Sequence, residues 1–202
     1  MEEVYRSIKP IQTSLIDLDE PALRFVVRRH HATNLHWDIR FEANRVLYSW
    51  FMKQLPTADP SKPVAAGLSG PHNPRWMFSE RFIRPGNPGA GPTIVEDYGK
   101  ARPLVKGYSS QDLAFHESFF KGRIPLFLDG QILQGAYVME RGIQGWQFRK
   151  LEDEAKTPMK LDWTCVSPIS GRTLEDLIPA DIIRIGRSWV FARSETSTHL
   201  GG

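Results

Sequence analysis

The chain has 202 residues, a net charge of +3 and a single cysteine, Cys165. That length fits one domain, or one domain with an extension, and 41% apolar residues can bury a core without a covalent staple. A lone cysteine excludes an internal disulfide and a cysteine-based zinc site and fits a reducing, cytoplasmic or nuclear setting. No apolar run approaches membrane-spanning length and the first residues lack the pattern of a secretory signal, so a soluble chain with no membrane partner is expected.

Residues 1–20 show no sustained period and read as a lead-in segment that ends in a turn at Asp17, Asp19, Glu20 and Pro21. A barrel or sandwich is expected over 21–153, because short Val-, Ile- and Phe-rich runs alternate with Gly and Pro. The strand candidates are 23–29, 34–42, 45–52, 64–68, 93–98, 126–127, 132–140 and 146–151. Ala43 and Asn44, Asp129 and Gly130, and the 142–145 stretch are the expected hairpin turns; Gly67, Gly70, Pro71 and Pro74 are expected to break the chain after 64–68. Ala136 and Val138 are expected to face Trp146 and Phe148 across the core. The helix candidate is 109–121, with Ser109 or Ser110 as N-cap, Asp112 in the first turn and His116 in a packing role. The side-chain-poor loop 86–91, Gly86-Asn87-Pro88-Gly89-Ala90-Gly91, suits a close approach to backbone or ligand but lacks the ending of a P-loop. Residues 154–202 read as an extension that packs on the barrel and closes in a polar tail; a basic footprint through Arg184, Arg187 and Arg193 competes there with ordinary solvated charge.

The stretch 34–42 holds the chemistry. Successive side chains of a strand point to opposite faces, so Leu35, Trp37, Ile39 and Phe41 line one side while His36, Asp38 and Arg40 line the other. A polar face on a half-buried strand usually just meets water, in which case these residues carry no chemistry. An imidazole and a carboxylate two positions apart can equally share one metal ion, with His30 as a further nitrogen and Arg40 to hold a phosphate.

The order Phe25-Val26-Val27, His30, Ala32, then Leu35-His36-Trp37-Asp38-Ile39-Arg40-Phe41-Glu42, then Val46-Leu47 and Ser49-Trp50, resembles the 3′-phosphoesterase domain of bacterial DNA ligase D. The likeness continues through His72, Gly89-Ala90-Gly91, Asp97 with Gly99, Leu133 with Gly135, Arg141 and Trp146, covering about residues 20–153. It implies a small closed or partly open β-barrel with flanking short helices, and a divalent metal, typically Mn(2+), with Zn(2+) or Co(2+) as alternatives. It implies an enzyme that removes a terminal ribonucleoside and then the 3′-phosphate from nucleic-acid ends; for a chain read as free-standing, a ligase or polymerase in trans is one expected partner. Carried onto this chain, His30, His36 and Asp38 match the metal ligands, and Arg40 and His72 match the residues that contact the phosphate.

Four residues, at three places in the chain, depart from the family pattern. Arg28 stands where the family has a Gln, Gly70-Pro71 where it has Glu-Asp, and Trp76 where it has a tyrosine; Arg28 and Trp76 are the expected substrate contacts peculiar to this chain. The chain reads as a stand-alone relative, and two alternatives stay open beside the nucleic-acid enzyme. One is an enzyme on the same barrel turned to a different, small-molecule substrate, with Trp37, Trp50 and Trp76 shaping its pocket. The other is a binding module without turnover. His36→Ala and Asp38→Ala are expected to abolish activity while leaving the fold nearly intact.

Overall fold

The computed structural model describes residues 22–153 and 161–192; the lead-in, the 154–160 stretch, Arg193 and the polar tail lie outside them. Eight antiparallel strands form a closed barrel. In chain order they are β1 (Leu23–His31), β2 (Leu35–Ala43), β3 (Val46–Met52), β4 (Val64–His72), β6 (Gly91–Pro103), β7 (Arg123–Gly130), β8 (Gln134–Gly142) and β9 (Gly145–Lys150). Around the barrel the order is β1-β2-β3-β4-β9-β8-β7-β6, and β6 closes onto β1. A three-residue strand, β5 (Arg81–Ile83), pairs with the start of β6, and a separate hairpin joins β10 (Ile182–Ile185) to β11 (Ser188–Phe191). No helix among the described residues is long and apolar enough to cross a membrane.

Period-two alternation assigns the inside. Phe25, Val27, Ile39, Phe41, Trp50, Leu126, Tyr137 and Phe148 belong to one buried cluster, to which every barrel strand contributes. One helix, α1 (Gln111–Lys121), adds its rings to that cluster: Phe115 lies 5.7 Å from Phe41, and Phe119 stacks on Trp146 at 5.8 Å. Its ends are set locally, because the Ser110 hydroxyl accepts from the Leu113 N–H and Gly122 takes the left-handed conformation (φ 76°).

The outside carries a second layer. Val26, Leu47, Met77 and Val95 form a smaller buried cluster with Trp76 and Tyr98 against it. Val26 and Leu47 have the opposite parity to Val27 and Trp50, so the segment between β4 and β6 covers an outer face of the sheet.

Several expectations shift. The β2–β3 turn is Asn44-Arg45, both with positive φ (51° and 61°), the two-residue geometry whose twist matches that of the strands. Asp129 and Gly130 lie inside β7, and the turn falls at Gln131, Ile132 and Leu133. There Asp97 accepts the main-chain N–H groups of Gln131, Ile132 and Leu133, and also that of Tyr98. The strand at 64 runs on to His72 through both glycines and Pro71; β9 pairs only with Val64, Ala65 and Ala66, so the proline sits where that neighbour offers no ladder to break.

Ala136 and Val138 do not face Trp146 and Phe148. The register sets Met139 opposite Phe148 and Arg141 opposite Trp146, which turns Ala136 and Val138 outward to pack on Leu151 and Leu104. A shift of one residue in pairing exchanges the two faces of a strand.

Candidate metal centre on the outer face of the barrel

β1 and β2 are paired so that His30 lies opposite His36, Arg28 opposite Asp38, and Val26 opposite Arg40. All six have the parity of the outer face, and directly opposed side chains sit about 5 Å apart at Cβ. The two imidazoles are 4.7 Å apart between ring centroids. One ligand atom from each of His30, His36 and Asp38 can be chosen so that all three lie within 4.8 Å of one another, which makes this group able to hold a metal ion.

Each of the three side chains is oriented by a hydrogen bond that leaves one donor atom free. His30 Nε2 donates to the Gly89 carbonyl at 2.8 Å, which leaves Nδ1 as that ring's lone pair. His36 Nδ1 donates to the Asn34 carbonyl at 3.0 Å, leaving Nε2, which lies 3.6 Å from Asp38 Oδ1. Asp38 Oδ2 accepts from the Arg40 guanidinium at 2.8 Å, so Oδ1 is the oxygen left for a cation. Loop 86–91 supplies the Gly89 carbonyl by close approach: a Cβ on Gly89 would sit 3.2 Å from His30 Cε1, and one on Gly91 would collide with the His31 carbonyl.

Burial sets the protonation states. It pushes the pKa of His30 down to about 4, so the ring is a neutral donor at physiological pH. Burial also opposes charge on Asp38, yet Arg40, then His36, His30 and Arg28, hold its pKa below the ordinary 3.8. His72 is shifted down by burial and by Arg40. Two imidazoles and one carboxylate, each with its remaining atom held by a hydrogen bond, form a donor set suited to a divalent metal ion.

His30, His36, Asp38, Arg40 and His72 line one cavity of about 450 Å³. Arg40 is buried (8% exposed), and its Nε has no partner among the described residues, which suits it to an incoming anion. Arg28 and Trp76 are not among the lining residues. Arg28, opposite Asp38 on β1, donates to the Ser79 carbonyl at 2.5 Å, and burial, then Arg40, lower its pKa to about 9. Trp76 packs in the outer cluster, with the guanidinium carbons of Arg75 and Arg81 at 4.6 and 4.1 Å from its ring centroid.

Trp37 and Trp50 do not line the cavity either. Trp50 is fully buried in the barrel, and Trp37 packs against the barrel cluster while donating to Glu96. The oily walls expected for a small-molecule pocket are therefore structural. Sequence reasoning missed Phe51, Lys53 and Ser69, all of which line the cavity; loop 86–91, expected to approach a backbone or ligand closely, supplies Pro88 and Gly89 to the same lining. Phe51 and Lys53 share the parity of Ser49, which would have revealed them had the inward face of β3 been known.

An eight-stranded barrel with a metal-competent group beside a buried guanidinium defines the class of protein. The comparisons narrow it: residues 28–141, more than half of the chain, match the family described as the DNA ligase D 3′-phosphoesterase domain. The chain belongs to that family. It is 31% identical over 163 residues to the multifunctional non-homologous end joining protein LigD of Pseudomonas aeruginosa, a stretch covering 78% of this chain and 18% of that protein. It is 30% identical over 118 residues to the multifunctional non-homologous end joining DNA repair protein LigD of Mycobacterium tuberculosis, covering 58% of this chain and 14% of that protein. With the LigD protein of Mycolicibacterium smegmatis the identity is 26% over 139 residues. The matched stretches span less than a fifth of each of these relatives.

Proposed function

We propose that this chain is a metal-dependent phosphoesterase that acts on the 3′ ends of nucleic acid, removing a terminal ribonucleoside and then the 3′-phosphate. The observation that carries this reading is the cross-strand pair His30–His36 with Asp38, all within 4.8 Å, beside a buried Arg40 whose Nε is unsatisfied.

His30, His36 and Asp38 would hold the ion, with Mn(2+) favoured and Zn(2+) or Co(2+) as alternatives. When bound, a divalent ion supplies Lewis-acid neutralisation of phosphoryl charge. Arg40 aims a fixed guanidinium at the same phosphoryl group, and its bond to Asp38 pre-sets its direction. Burial and then Arg40 hold the pKa of His72 below the usual imidazole value in the free protein; a bound phosphate raises its proton affinity, so it can donate to the departing ester oxygen. Water attack on phosphorus forms a new P–O bond as the P–O5′ bond breaks; O5′ leaves with a proton as the ribonucleoside's 5′-hydroxyl, and the shortened strand keeps a 3′-phosphate. Water attack that breaks the P–O3′ bond then leaves a 3′-hydroxyl. In such a cycle a ligase or polymerase would use the product.

The test is incubation of the purified protein and Mn(2+) with oligonucleotides ending in a ribonucleotide or a 3′-phosphate. Shortening and phosphate release are expected, with loss on chelation and in His36→Ala. Failure to bind any divalent ion, or intact ends of both kinds, would overturn the reading. Metal binding with intact ends would favour the small-molecule alternative, and no metal binding would favour the non-catalytic module.

A further inference from the structure

Phe51 is 40% exposed, although it stands on the strand next to the metal-competent group. In the barrel registers its neighbours are Asp38 on β2 and Gly67 on β4. A Cβ on Gly67 would collide with the Phe51 ring, so the ring occupies the space that a side chain on β4 would otherwise fill. It meets the His36 ring edge-to-face at 6.4 Å between centroids and lines the cavity with His30, Asp38 and Lys53. Leaving a phenyl ring in water forgoes the stabilisation of burying it. Gly67 nonetheless clears its seat, and His36 braces it beside the chemistry.

We propose that Phe51 is a stacking platform for the nucleobase of the terminal nucleotide, so that the site takes base-bearing 3′ ends in preference to bare phosphoesters. The proposal rests on the phosphoesterase reading and names the part of the substrate that this side chain recognises. An open aromatic ring stacks any base, because every base has a π-face, and so recognises an end without reading its sequence. Lys53, two residues further along the same face, adds a positive charge on the cavity wall beside that ring.

The experiment compares wild type, Phe51→Ala and Phe51→Trp on two oligonucleotides with a 3′-phosphate, one ending in a normal nucleotide and one in an abasic residue. In Phe51→Ala, kcat/KM is expected to fall about tenfold on the base-bearing end. It is expected to change little on the abasic end, and Phe51→Trp keeps the preference. Equilibrium binding of an oligonucleotide with 2-aminopurine as terminal base provides a second readout that needs no turnover. Its fluorescence is quenched by wild type and Phe51→Trp but not by Phe51→Ala. Equal losses on both ends, or equal quenching by wild type and Phe51→Ala, would overturn the platform. A wild type that quenches 2-aminopurine yet cleaves neither end would overturn the phosphoesterase reading and leave the platform standing.

Discussion

Trp189 donates its indole N–H to the main-chain carbonyl of His31 at 2.8 Å, tying the β10–β11 hairpin to the turn that joins the two metal-competent histidines. Arg184 takes the next two carbonyls, Ala32 at 3.0 Å and Thr33 at 3.1 Å, and Arg187 reaches the Asn34 side chain at 2.8 Å. Three consecutive carbonyls between His30 and His36 are thus held by one hairpin.

Trp189→Phe or Arg184→Ala should therefore loosen the His30–His36 spacing without touching either ligand. A lost hydrogen bond is worth about 1 kcal/mol, so Mn(2+) affinity should fall about fivefold in Trp189→Phe by titration calorimetry, and further in Arg184→Ala, which loses two carbonyl bonds. Unchanged affinity in both variants would show that β1 and β2 fix the pair by themselves.

The hairpin also marks where the sequence stops being legible. Strand β1 is readable from its Val- and Phe-rich run, and β2 because apolar residues alternate over nine positions in Leu35–Ala43, which puts His36, Asp38 and Arg40 on one face. In β3 the run Val46–Met52 is apolar at all but one position, so parity is invisible, and Phe51 and Lys53 could not be assigned to the cavity. β5 is three residues long, and β10 and β11 are four residues each, too short for any period. The partner of His30 is a backbone carbonyl, that of Gly89, which residue identity does not disclose. The Asp97, Gly99 and Leu133 part of the family likeness belongs to the fold: Asp97 holds the β7–β8 turn, and a Cβ on Gly99 would collide with the Asp129 carbonyl.

His36 and Asp38 should behave differently when removed, contrary to the expectation from sequence that both substitutions spare the fold. His36 is partly exposed, and His36→Ala should cost under about 1 kcal/mol of stability while abolishing metal-dependent activity. Asp38 is the counter-charge for buried Arg40 and has buried Arg28 as its cross-strand neighbour. Asp38→Ala leaves both guanidiniums without it and should cost about 3–5 kcal/mol in urea unfolding. Equal stability losses in the two variants would contradict this assignment.

Arg28 is a buried charge whose surroundings disfavour it: burial, then Arg40, outweigh the attraction of Asp38 and leave its pKa near 9. Gln at this position, the residue of the family pattern, keeps an N–H donor without carrying that charge. Arg28→Gln should raise the melting temperature by several degrees, at about 2–4 °C per kcal/mol for a chain of this size. A lower melting temperature would mean that the guanidinium bond to Ser79 outweighs the cost of burying the charge.

The acid limb of stability should be a near balance of two opposed groups. His30 titrates at about 4 in the folded protein and at 6.5 when unfolded, so the unfolded chain binds the extra proton and stability is lost as pH falls from 6.5 to 4. Asp97 titrates at about 6 folded, raised by burial against four N–H donors, and at 3.8 unfolded, so its contribution is lost as pH rises from 3.8 to 6. Each shift corresponds to roughly 3 kcal/mol, and the signs oppose over most of the window. His31 and His72 act in the sense of His30, and Glu96 in the sense of Asp97. Urea unfolding of metal-free protein at pH 6.5, 5 and 4 should show a shallow slope for wild type. Asp97→Asn, whatever its constant offset, should lose stability steeply on acidification, whereas His30→Ala should gain it. Parallel slopes in all three proteins would show that neither group titrates as its burial dictates.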